Sequence, residues 1–279
     1  MLGQHLNEQT ITIGPHERRA FGGVKEIWEF RGLFFFLAWR DLKVRYKQTV
    51  LGVIWVLLQP LMLMLIFTFV FGRLAKLPSE DAPYHLFVLA GLVPWLLFSS
   101  VVGQVSNSLV TDARIISKIY FPRLIVPLSA SISCLIDSFI SLGMFLVIYF
   151  ASGGGFSLRL LFMPIWIFGT LLVALSFSVG LAALNAKFRD FRFVIPFGLQ
   201  LTLFLTPVVY SSSLVPESLH WLYALNPMAL MVEGFRWSAL GVGEITGGAV
   251  LITGIVLTTV GMLSIRYFRA VEDFLADIL

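Results

Sequence analysis

Charge is what this chain has least of. Asp, Glu, Lys and Arg make up 13% of its 279 residues, about half the share of a soluble domain. Hydrophobic residues reach 58%, and the mean hydropathy is +0.88. Too little polar surface remains to cover a water-soluble globule, so composition predicts an integral membrane protein.

Cysteine is almost absent. Cys134 stands alone, which excludes an intrachain disulfide. His5, His16, His85 and His220 are scattered, with no pair at metal-ligand spacing. The first thirty residues carry no apolar core before a small-residue cleavage site. No cleaved signal peptide is therefore expected, and 1–29 reads as a cytoplasmic tail.

Catalytic signatures are missing too. The chain has no G-x-x-x-x-G-K-[ST] phosphate loop, HExxH, GxSxG, Cys-x-x-Cys or GxGxxG. "SGGG" at 152–155 reads as a turn. The acids Glu80, Asp81, Glu217, Glu233 and Glu244 are dispersed rather than clustered. The chain is not expected to be an enzyme.

Long apolar runs fill the space these absences leave. A spanning helix needs roughly 20 apolar residues, because the hydrocarbon core is about 30 Å thick and the rise is about 1.5 Å per residue. Six stretches qualify, near 50–72, 86–108, 124–150, 160–185, 193–212 and 246–265. Five contain no Asp, Glu, Lys or Arg, and the third contains only Asp137. "LMLMLIFTFVF" does not alternate apolar with polar residues, which argues against barrel strands. The expected fold is an all-α membrane protein with six transmembrane helices within 50–270 and a short C-terminus at 271–279. Sixteen of the 20 Lys and Arg lie before the first stretch, after the second and fourth, and at the C-terminus. That excess predicts both termini in the cytoplasm.

Two segments read as membrane-associated without crossing. Phe35, Trp39, Leu42, Tyr46 and Val50 fall within about 80° of one another at 100° per residue. Arg40, Lys43, Arg45 and Lys47 lie outside that stripe. The pattern predicts an amphipathic helix over 30–49 in the cytoplasmic interface, its cations near anionic headgroups. Simple basic flanking of the first span is the plainer alternative. On the other side, 213–245 holds "LHWLYALNPMALMVEGFRWSALG". Its apolar centre is too short to span and too apolar for open water. A re-entrant helix pair is expected, broken at Asn226-Pro227, with Pro216 and Trp221 in the same outer segment. The alternative is a segment lying on the outer surface.

Polar and helix-breaking residues inside the stretches carry the remaining signal. Pro60, Pro94, Pro127, Pro164, Pro196 and Pro207 each remove a backbone donor. By count Asp137 lies near mid-depth, where a charge costs roughly 2.5–3.5 kcal/mol on insertion scales. It is expected to face protein or water, hydrogen-bonded to Ser133 or Ser141, or to border a conduit.

The segments "LAWRDLKVRYKQTVLGVIWVLLQPLMLMLIFTFVFG", "PYHLFVLAGLVPWLLFSS", "ISKIYFPRLIVPLSA", "RDFRFVIPFGLQ" and "LTPVVYSSSLVPESLHWLYALNPMALMVEGFRW" carry a resemblance. Between residues 34 and 237, their order and spacing are similar to the permease subunit of type-two ATP-binding-cassette exporters, in the O-antigen, capsule and teichoic-acid branch. The resemblance implies a homodimer working with two copies of a cytoplasmic ATPase, which would bind ATP and Mg. The implied substrate is a glycan linked to undecaprenyl pyrophosphate. Phe34 to Lys47 matches that family's interface helix, Thr111 to Arg123 its coupling segment, and Val215 to Leu240 its outer gate helices. No cofactor of the chain's own and no nucleic-acid partner is expected.

On that reading, aromatic faces and polar tips would pass sugar rings along a conduit. Candidates are Trp55, Gln59, Phe67 and Phe71 on the first stretch and Phe197, Phe204 and Tyr210 on the fifth. Within "TDARIISKIYFPR", Asp112, Arg114, Lys118 and Tyr120 are candidates for ATPase contact. A drug or small-lipid exporter of the same superfamily, an ATP-independent secondary transporter, and a membrane-embedded lipid–sugar transferase are the competing readings.

Overall fold

The computed structural model describes residues 27–47, 52–119 and 121–272. Every regular element among them is helical. The order is α1 (Arg31–Lys47), α2 (Gly52–Phe67), a π-helical turn (Thr68–Leu74), α3 (Tyr84–Thr111), α4 (Ala113–Ile116), α5 (Ile125–Ala151), α6 (Met163–Lys187), α7 (Phe191–Leu205), α8 (His220–Ala224), α9 (Pro227–Leu240) and α10 (Gly247–Glu272). Short 3-10 turns at Leu158–Phe162, Ser212–Leu214 and Glu217–Leu219 fill the connections.

The boundaries follow the local chemistry. Pro164 and Pro227 sit in the first turns of α6 and α9, where a missing N–H costs nothing. The side chain of Asn226 accepts from Met228 N at 3.0 Å and caps α9. Gly241, at φ 75°, ends that helix in the left-handed conformation that glycine tolerates. Buried serines donate back to carbonyls one turn earlier, as Ser108 does to Val105 and Ser176 to Val173. These two hydroxyls are thus satisfied inside an apolar bundle.

Five segments are long and apolar enough to cross a membrane: 54–74, 84–111, 125–151, 158–187 and 247–272. With the apolar composition, they make this a multi-pass membrane protein. The fifth predicted stretch differs. It forms a 15-residue helix, Phe191–Leu205, rather than a helix over 193–212. Thr206 precedes Pro207 and is extended (φ −99°, ψ 138°), because proline excludes the α region for the residue before it.

α3 is the axis of the bundle, with 78% of its apolar window buried. It packs against α5 and α6, with α9 on one end. By contrast α2 and α10 keep only 11% and 6% buried and show most of their apolar surface outward. One packing cluster gathers α1, the end of α3, the start of α5, and the ends of α6 and α10, through Leu37, Leu109, Ile125, Ala182 and Phe268. Arg114, Lys187 and Arg269 stand in the last turns of α4, α6 and α10 at this cluster, which is the basic end of the bundle. The opposite end brings Tyr84, Val209, Ser211 and Gly243 around Glu80 and Arg236.

Candidate functional site

α1 runs beside the first half of α5. Leu37 packs in the same cluster as Ile125 and Val126, and eight residues later Arg45 reaches Ser133 and Asp137. The guanidinium of Arg45 lies 2.8 Å from Asp137 Oδ2. Tyr46 OH donates to the other carboxylate oxygen, and burial beside that carboxylate pushes the phenol pKa up. With its amide oxygen turned toward Arg45, Gln104 accepts at 2.8 and 3.1 Å and donates to Ser133 Oγ at 3.2 Å. Asp137 is therefore an ion-paired carboxylate whose partners are Arg45 and Tyr46 of α1 rather than Ser133 or Ser141.

A cavity of about 600 Å³ opens beside this pair, between α2, α3 and α5. Trp55, Gln59 and Pro60 of α2 line it, facing Ser99 and Ser100 of α3 and Ser138 and Ser141 of α5. Pro60 has no N–H to give the carbonyl of Val56, which also lines the cavity.

A second ion pair closes the basic end. Arg40 Nη2 donates to Asp112 Oδ2 at 2.7 Å, and the same guanidinium holds Asp41. The bond to Asp112 raises the Arg40 pKa. Arg40 and Arg45 each meet a carboxylate that would otherwise be half-buried and unpaired. Lys43 and Lys47 remain exposed, as do Phe35, Phe36 and Trp39. Thus α1 carries its exposed apolar surface and its inward charges on different faces.

The opposite end is built on Arg236, the largest fully buried side chain. It donates to the carbonyls of Phe87 (3.3 Å), Val208 (2.7 Å) and Tyr210 (3.4 Å). Its guanidinium stacks on Phe87 at 3.6 Å and lies 3.7 Å from Glu233. The non-helical chain after Pro207 leaves carbonyls without helix partners, and Arg236 supplies them with donors. Glu80 accepts from Ser211 Oγ and from Gly243 N (3.0 Å), pinning a loop from each side.

Residues 32–240 match the family described as "ABC-2 type transporter". The chain belongs to the ABC-2 type transporter family. It is 31% identical over 228 residues to the O-antigen export system permease protein RfbA of Klebsiella pneumoniae, covering 80% of this chain and 86% of that one. The RfbA protein of Myxococcus xanthus is 30% identical over 215 residues (76% and 82%). The polysialic acid transport protein KpsM of Escherichia coli is 26% identical over 219 residues (76% and 82%).

In this ABC-2 chain the candidates read from sequence fall into several places. Trp55 and Gln59 line the cavity with Arg45 and Asp137. Phe67 and Phe71 pack edge to face at 5.8 Å against the core. Phe197 and Phe204 are exposed on α7, and Tyr210 joins the Arg236 network. At the basic end, Arg114 and Lys118 are exposed, whereas Asp112 is bound to Arg40. Tyr120 lies outside the described residues. In the 213–245 segment, Pro216 and Trp221 are exposed, while Asn226 caps α9 and bonds Thr206 Oγ1 at 3.1 Å. α9 itself is buried against α3 and α6.

Sequence reading missed Arg236, Glu233, Glu80 and Gln104. The available signal was an arginine and a glutamate three residues apart in an otherwise apolar run, "MALMVEGFRW". Such a pair in a membrane protein calls for a buried partner.

Proposed function

We propose that this chain is the membrane-spanning subunit of an ATP-driven exporter that moves a polysaccharide out of the cytoplasm. The observation that carries the reading is similarity over about four-fifths of the chain to permeases named for O-antigen export, with polysialic acid transport among the other relatives. The sequence holds no phosphate loop, which fits ATP and Mg being bound by a separate ATPase.

In this reading six segments cross. α7 is about 22 Å long, and the extended chain from Thr206 carries the crossing to the Glu80 end. The basic end faces the cytoplasm, following the Lys and Arg excess. α8 and α9 form the re-entrant outer segment, with Asn226-Pro227 as its break. Two copies of the chain enclose the conduit, and the outward apolar faces of α2 and α7 fit that role, with Phe197 and Phe204 exposed. Arg114 and Lys118 offer exposed charge to the ATPase, and Arg40 ties that segment back to α1. The glycan is expected to travel on undecaprenyl pyrophosphate.

Deleting the gene tests this function. Lipid-linked glycan should accumulate on the cytoplasmic face and vanish from the surface, and the wild-type chain should restore it. Unchanged surface glycan in the deletion strain would overturn the reading.

A further inference from the structure

Glu233 is a buried acid that the exporter reading leaves unused. It stands on α9, is 4% exposed, and neither carboxylate oxygen has a hydrogen-bond partner. A carboxylate at that depth calls for several donors. Arg236, on the same helix, stays 3.7 Å away and spends its donors on three carbonyls. The hydroxyls of Ser212 and Tyr223 stand nearby without bonding to it.

Gly243 brings a second carboxylate to the same place. Its N–H donates to Glu80 Oε2 at 3.0 Å, and a Cβ on its α-carbon would come within 2.6 Å of Glu233 Oε2. Glu80 and Glu233 thus flank one residue. Glu80 also accepts from Ser211 Oγ. Its carboxylate therefore clasps three segments: its own loop before α3, the chain after Pro207, and the loop after α9. Glu80 and Asp81 hold left-handed backbone, at φ 52° and 64°, a cost that persists only where the surroundings fix it.

The charges around Gly243 do not balance. Glu80, Tyr84, Tyr210 and Tyr223 are the other ionisable groups around Glu233 and Arg236. Arg159, before α6, is held over the Trp237 ring, and α6 and α10 keep their ionisable residues toward the basic end. Two carboxylates and one guanidinium leave one negative charge uncompensated. A proton on Glu233 removes it, and a proton needs no cavity. Burial pushes the Glu233 carboxyl up, Arg236 opposes the shift, and Glu80 adds to it.

We propose that Glu233 holds a proton while the Glu80 clasp is closed, and that losing this proton opens the clasp. The device is built into this chain alone and does not depend on the cargo. With the proton in place, Glu80 and Arg236 carry one charge each. Without it, Glu233 repels Glu80 across Gly243 and the three segments part. The closed clasp holds its proton more tightly than an open, hydrated glutamate does. The clasp is therefore firmest below about pH 4.3, and its opening equilibrium rises about tenfold per pH unit above that, until the closed form too gives up its proton.

Infrared spectroscopy and amide hydrogen exchange test it, on the full chain with its partner ATPase in lipid nanodiscs. Above the ordinary glutamate range, wild type should show the C=O band of a neutral carboxylic acid that Glu233→Gln lacks. Absence of any Glu233-dependent band makes Glu233 the ionised partner of Arg236, and overturns the proposal. Exchange at Gly243 is read in wild type against Glu233→Gln at each pH, so that its intrinsic pH dependence cancels. The two should exchange equally in acid, and wild type should then pull ahead by about tenfold per pH unit until the band is gone. A ratio that stays flat overturns the switch. Should Glu233→Gln not fold, Glu80→Gln carries the test. With that carboxylate neutralised, the pH at which the band disappears should fall, and an unmoved midpoint overturns the proposal.

Discussion

Arg40 and Asp112 stand 72 residues apart in sequence and 2.7 Å apart in space. The bond makes α1 and the turn after α3 one mechanical piece. On the exporter reading, that turn receives the ATPase and α1 leads into α2. Arg40→Ala should therefore leave ATP hydrolysis by the partner intact while export falls about tenfold, the size of a coupling free energy of about 1–2 kcal/mol. Asp112→Ala should do the same, and the double variant should be little worse than either single. Paired assays of ATP hydrolysis and glycan export check it, and additive losses would refute a shared role.

Arg45 and Asp137 make a different prediction, about stability. Asp137→Ala takes the carboxylate from a half-buried guanidinium, 32% exposed, that keeps Ser133 and Gln104 beside it, and should cost about 1–3 kcal/mol. Replacing both, by Arg45→Met with Asp137→Leu, should recover most of that loss, because no lone charge remains. Denaturation in detergent micelles measures both, and a double variant as unstable as the single would contradict the pairing.

Gly91 tests the Arg236 network. A Cβ there would come within 2.7 Å of the Val208 carbonyl and 2.9 Å of Arg236 Nη2. Gly91→Ala should force the guanidinium away from its carbonyls and cost about 1–3 kcal/mol. Arg236→Lys should cost a similar amount, since one ammonium cannot reproduce the planar spread of donors. Thermal unfolding of the purified variants is the check.

Arg114 and Lys118 are exposed at the basic end. Reversing both charges should leave the chain folded and inserted but weaken capture of its ATPase by about tenfold or more. Unchanged ATPase capture and unchanged export would remove this segment from the docking surface.

Much of the architecture was legible because it follows from hydrophobic length. Tyr84–Thr111, Ile125–Ala151 and Met163–Lys187 all lie within a few residues of the apolar runs. Asn226-Pro227, read as a break between two helices, lies between α8 and α9. What could not be read was which charges meet. Nothing local says that Arg40 and Arg45 pair with carboxylates beyond α3 and on α5. Helical periodicity described the side of α1 with Phe35 and Trp39, whereas tertiary packing decided the other side. The short fifth helix was missed for a related reason. Apolar composition continues through 206–212, but Pro207 stops the helix and Arg236, far along the chain, makes the irregular backbone tolerable.

The central claim is that this chain carries glycan across a membrane only when a partner ATPase drives it. The most direct measurement is transport into sealed vesicles containing the chain and its ATPase, with glycan linked to undecaprenyl pyrophosphate in the membrane. The account predicts glycan protected inside the vesicles when ATP is supplied on the side of the ATPase, and none when ATP, the ATPase or this chain is left out. Protection of equal extent without ATP or without the ATPase would contradict it.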